Sequence, residues 1–100
     1  MSEFFGKTYE TIAASQSDQA LGVNGVAGDI LNRLVIVPAT TGAGTVSIKD
    51  GSGSAINVFV TGTLSDLKPI VLDIEAVSTS GGWKVTTGAN VSVIAVGKFR

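Results

Sequence analysis

From Leu21 onward the chain reads as strand and turn, with apolar residues at every second position over Thr45 to Asp50 and Ile70 to Val77 and short runs cut by glycine-rich turns. No window carries the three-to-four spacing of a helix for long enough to build a βαβ unit. Period two places alternate side chains on opposite faces of an extended strand, so this pattern commits the chain to sheet. Thirteen glycines and only two prolines punctuate runs rich in valine, isoleucine and threonine, the composition of a sheet with many turns. The pattern predicts a small all-β domain, an antiparallel β-sandwich or jelly-roll-like fold.

Individual strands can be placed. Asp29 to Val37 reads as the first strong strand, ended by Pro38, which has no N–H to give a ladder. Thr45 to Asp50 alternates, with Val46 and Ile48 on one face. Asp50-Gly51-Ser52-Gly53-Ser54 reads as a hairpin loop, returning through Ala55 to Val60 with Ile56, Val58 and Val60 inward. Ile70 to Val77 turns Ile70, Leu72, Ile74 and Ala76 inward and Asp73 and Glu75 to solvent. Trp83 and Val85 share a face of a short strand, Thr86 to Ala89 reads as a turn, and Asn90 to Gly97 is the last strand. Thr40-Thr41-Gly42-Ala43 and Thr86-Thr87-Gly88-Ala89 repeat one phrase, which is read as shared turn chemistry.

The first 20 residues differ in character and are read as an extended arm, residues 1–20, ahead of a sandwich domain, residues 21–100. Phe4, Phe5 and Tyr9 lie among the first nine residues and a polar stretch follows. Disordered tails are usually poor in aromatics, so these three residues are the expected anchors of an arm that docks on a neighbour; the alternatives are a flexible terminus and a short helix over residues 7–15.

Two strands lack the polar face that a half-wet sheet should show. In the last strand Val91, Val93 and Ala95 take one side while Ile94 and Val96 take the other. In the first strand Ile30, Leu34 and Ile36 oppose Val35 and Val37, and Phe59 lies opposite the inward set of its own strand. A chain of 100 residues makes two layers rather than three, so each strand keeps an outer face. Val35, Val37, Phe59, Ile94 and Val96 are therefore the expected subunit interface. Charged residues are only 15% of the chain, against a usual share of about a quarter, which points the same way.

Chemistry finds little footing. The chain has no histidine and no cysteine, which removes the commonest general base, the usual metal ligands and the nucleophile–base pairs built on them. Gly22, Gly25 and Gly28 have neither the preceding strand nor the closing Lys-Ser/Thr of a phosphate loop. Asp50 to Ser54 lacks the acidic ligands of a calcium loop. Asp73 and Glu75 read as a solvated strand face. No enzyme activity and no cofactor are expected. Seven basic residues balance eight acidic ones, so no nucleic-acid partner is expected. The longest apolar run, around Leu34 to Ala39, is far short of the roughly 20 residues of a membrane-spanning helix, and the N-terminus does not read as a secretory signal. Trp83 reads as core, with a carbohydrate platform as the alternative.

Val46-Ser47-Ile48-Lys49-Asp50-Gly51-Ser52-Gly53-Ser54-Ala55-Ile56-Asn57-Val58-Phe59 and Trp83-Lys84-Val85-Thr86-Thr87-Gly88-Ala89-Asn90-Val91-Ser92-Val93-Ile94-Ala95-Val96-Gly97 resemble small proteins encoded in tailed-phage structural gene clusters. With Leu21 to Pro38, the resemblance covers most of residues 21–100. It implies a virion protein, foremost a capsid decoration (cement) protein, assembled in the host cytoplasm. The implied partner is the major capsid protein or another virion protein, bound by a homo-oligomer, a trimer, with the N-terminal arm on the shell. The alternatives are a neck, tail or fibre-base component, or a glycan-binding host-recognition module.

Overall fold

The computed structural model describes residues 7–23, 26–60 and 68–100. Among them are eight strands and no helix: β1 (Lys7–Ile12), β2 (Gln19–Ala20), β3 (Ile30–Pro38), β4 (Val46–Asp50), β5 (Ile56–Phe59), β6 (Ile70–Val77), β7 (Trp83–Thr87) and β8 (Val91–Phe99). They form two four-stranded antiparallel sheets, one in the order β1-β8-β3-β6 and the other β2-β7-β4-β5.

That order has a simple origin. Strands β4 and β5 pair around the turn that follows Asp50; β3 then pairs β6, β2 pairs β7 and β1 pairs β8. Successive pairs alternate between the two sheets. One long hairpin wound around a common core gives this arrangement, which is the jelly roll.

The core lies between the sheets. Leu31, Leu34 and Ile36 of β3, and Val91, Val93, Ala95 and Phe99 of β8, meet Val46 and Ile48 of β4 and Trp83 and Val85 of β7. Each large apolar side chain removed from water contributes about 1.5–3 kcal/mol, and the strands on both sides supply them at every second residue. The inward set expected for β6, Ile70, Leu72, Ile74 and Ala76, packs on the edge of this core.

Three expectations are corrected. Thr86 and Thr87 extend β7 rather than forming a turn, because they pair with Ser47 and Val46. A register shift between Leu31 and Arg33 turns Leu31 inward and sends Ile30 to the outer face, beside Lys98 and Val77. The third concerns the arm. Its described part, residues 7–20, supplies the edge strands β1 and β2 of both sheets. Ile12 is fully buried, and Glu10 accepts hydrogen bonds from Gly22 N at 2.9 Å and Gln19 Nε2 at 3.3 Å. Thr87 Oγ1 donates to Ala13 O at 2.6 Å and accepts from Gln16 N at 3.0 Å. These bonds close one side of the sandwich, so this part of the segment is structural to its own protomer.

The two repeated Thr-Thr-Gly-Ala phrases meet in space. Gly44 N donates to Ala89 O at 2.8 Å and Gly88 N donates to Thr45 O at 2.9 Å. A Cβ on Gly44 would lie 2.9 Å from Gly88 Cα, and one on Gly88 would lie 2.8 Å from Gly44 Cα. The backbones cross too closely for any side chain, which is why both positions are glycine.

Candidate interaction surface

The outer face of the β1-β8-β3-β6 sheet can be built row by row from the register. Thr11 pairs with Ile94, Ile94 with Val35, and Val35 with Val71. The next row is Tyr9, Val96, Arg33 and Asp73; on the other side lie Ser92 and Val37. Tyr9, Val96, Ile94, Val35, Val37 and Val71 thus share this face with Thr11, Ser92, Lys98 and one ion pair, Arg33 Nε to Asp73 Oδ1 at 3.5 Å. Tyr9 is 61% exposed and Val71 58%. Val35, Val37, Ile94 and Val96 are partly exposed, and none belongs to the buried core.

The other outer face is different. There Ser47 pairs with Thr86 and Asn57, and Lys49 with Lys84, which also pairs with Ala20. Asp18 receives Lys49 Nζ at 3.2 Å and Thr86 Oγ1 at 3.1 Å; these two bonds, with Lys49 first, hold its carboxyl below the usual carboxylate range. One outer face of the sandwich is therefore hydrated in the ordinary way for an antiparallel sheet, and one is apolar. The asymmetry makes the second, mostly apolar face the candidate interaction surface.

Of the residues expected at an interface, Val35, Val37, Ile94 and Val96 share this face, and Tyr9 joins them from β1. Phe4 and Phe5 lie outside the described residues. Phe59 does not join them. A register shift between Val46 and Ser47 brings Phe59 opposite Val46, so its ring packs against the core, while Ile56 is left 52% exposed and Val60 62% exposed. Alternation counted from Ile56 fails at that bulge. Val71 was missed because its strand reads as ordinary inside/outside alternation; only pairing to Val35 makes it part of a row.

Trp83 is 4% exposed and its indole Nε1 donates to Asp29 O at 3.1 Å. It is a core residue and offers no platform for a sugar ring. Asp29 itself is buried, its carboxylate taking Arg100 Nε and Arg100 N, each at 3.1 Å, and Val26 N at 3.3 Å. Asp50 is a second acceptor hub: Ser80 N at 3.0 Å and Thr79 N at 2.8 Å, then the Thr79 hydroxyl, hold its carboxyl below the usual range. Both hubs brace loops. Among the described residues no three carboxylates gather as they would to hold a metal ion.

No family model, curated protein or solved structure matches the chain.

Proposed function

We propose that this protein is a non-enzymatic structural subunit of a tailed-phage particle, a capsid decoration protein that works by burying the apolar outer face of its β1-β8-β3-β6 sheet in an assembly. The carrying observation is the contrast between the two outer faces. One places Tyr9, Val35, Val71, Ile94 and Val96 in adjoining rows at the surface, while its counterpart presents Ser47, Lys49, Lys84 and Thr86. An exposed apolar patch of this kind costs solubility in a lone molecule and stabilises a complex when covered.

Two further points support the reading. The wound-hairpin strand order is an architecture used repeatedly in viral capsid domains, a likeness of fold class only. The resemblance of most of residues 21–100 to phage structural proteins points to the same class. The work would be mechanical, since added buried area across subunit boundaries resists separation of the shell.

The test is binding to DNA-filled heads of the phage that encodes the chain, prepared without it. The chain should sediment with the heads and raise the temperature at which they release DNA. An Ile94→Asp variant, folded by circular dichroism, should do neither. Failure of the wild-type chain to sediment with heads, tails or whole particles would sink the virion assignment.

A further inference from the structure

The two sides of the sandwich are finished differently. On one side the edge strands are β1 and β2, yet Ile12 at the end of β1 and Leu21 just after β2 are fully buried. On the other side the edges are β5 and β6. The apolar residues that pack on the core while only half-buried all lie there: Val58 and Phe59 on β5, and Ile70, Leu72, Ile74 and Ala76 on β6. Ile56 shows how incomplete the cover is. It pairs with Ile48 and so points to the core side, but Ile48 is 3% exposed and Ile56 52%. Position at an edge does not account for this, because Ile12 is at an edge too. Among the described residues nothing closes the apolar opening between β5 and β6.

Phe4 and Phe5 precede β1, and covalent geometry limits where they can go. Phe4 is three residues from Lys7, the first residue of β1, so its main chain stays within about 10 Å of that strand. In the order β1-β8-β3-β6 the strand β6 is three spacings away, about 14 Å at about 4.8 Å each. The main chain at Phe4 therefore ends short of its own β6, and the opening lies on the far side of that strand. A neighbouring copy sets no such limit.

We infer that Phe4 and Phe5 of one copy of this chain fill the β5–β6 opening of a second copy. The opening is lined by aliphatic side chains, and an aromatic ring brings the large apolar area that fills such a gap. Arm and opening lie at opposite edges of one sheet, so a copy that gives its arm on one side receives an arm on the other. Such a head-to-tail contact is heterologous and closes into a ring, the arrangement to which the trimer implied by the phage resemblance belongs. The inference stands apart from the virion assignment, since it uses the sheet edges and not the apolar outer face.

Sedimentation of the full chain over a range of concentrations tests this, with two variants that keep β1. One carries both Phe4→Ser and Phe5→Ser; the other carries Ile56→Asp. Wild type should associate, and each variant alone at least tenfold more weakly, while circular dichroism shows both folded. Mixed in equal amounts, the two variants should form a one-to-one complex, because one supplies the opening and the other the arm. A peptide of residues 1–6 gives a second reading that needs no change at Ile56. It should raise the melting temperature of the doubly substituted chain, and the same peptide with serine for both phenylalanines should not. A wild-type chain monomeric at every concentration, a doubly substituted chain that associates like wild type, or two peptides of equal effect overturns the inference. So does the absence of a complex on mixing when Ile56→Asp is folded.

Discussion

Trp83 Nε1 donates to the main-chain carbonyl of Asp29 across 3.1 Å, tying β7 of one sheet to the residue that opens β3 of the other. Ser78 N donates to the same carbonyl at 2.8 Å, so the oxygen keeps one partner if the indole is lost. Trp83→Phe should therefore cost only about 1 kcal/mol for the hydrogen bond. Trp83→Ala opens a cavity and should cost about 3–5 kcal/mol. Denaturant unfolding of the two variants separates them; an alanine variant as stable as wild type would contradict the core placement.

The carboxylate of Asp29 is fully buried and joined to Arg100, whose side chain is 49% exposed. Removing a partner from a buried charge leaves an unmet desolvation cost. Asp29→Ala should lose about 2–3 kcal/mol. Arg100→Ala leaves that carboxylate buried without its counter-charge, although the main-chain N–H of residue 100 still reaches it, and should lose more, about 3 kcal/mol. The order of the two effects, read by thermal unfolding, is the check.

Deleting residues 1–12 removes β1, and with it the buried Ile12 and the Glu10 bond to Gly22. Residues of β8, among them Val93 and Ala95, then lose their neighbour on that side. The truncated chain should unfold at markedly lower denaturant than wild type and expose apolar surface to dye. A truncation that leaves the midpoint unchanged would mean that β1 adds nothing to the sheet.

Asp18 and Asp50 give a pH dependence with a definite sign. Both carboxyls are held below the ordinary value of 3.8, by Lys49 and Thr86 in one case and by Ser80 and Thr79 in the other. The unfolded chain then takes up protons first on acidification. Their contribution is complete above the ordinary value and is lost as pH falls through the lower folded ones. These groups leave stability level from about pH 8 to about pH 5 and lower it below about pH 4. Asp50→Asn should lower the melting temperature at neutral pH and flatten the acid limb; an unchanged acid limb would count against the Asp50 hub.

Backbone crossing at Gly44 and Gly88 predicts that Gly88→Ala destabilises by at least about 1–3 kcal/mol, since the new Cβ meets main chain that has no free rotor to yield. Gly42, which a Cβ would approach only at 3.9 Å through the Thr40 hydroxyl, should accept alanine with little change. Melting temperatures of the two variants give the comparison.

The sequence was most legible where one face is polar. In β4, Val46 and Ile48 alternate with Ser47 and Lys49. In β6, Asp73 and Glu75 oppose Leu72 and Ile74, and both strands lie where alternation puts them. A turn marked Asp-Gly joins β4 to its partner, so the all-β class and the central hairpin follow from local chemistry. The two-residue β2 is too short to show a period, and its pairing to β7 is long-range.

Where both faces are apolar, alternation is silent about direction. The residues of β3 and β8 told only that each strand has two greasy sides; that Leu34, Ile36, Val93 and Ala95 face the core, and Val35, Val37, Ile94 and Val96 the outside, depends on which side the second sheet covers. Phe59 and Ile30 changed sides because bulges shift the count by one. Alternation, turn chemistry and composition are local quantities and travel with the chain. Register, bulge position and the choice of covered face arise from contacts between residues far apart in sequence, and these exist only once the sheets have closed on each other.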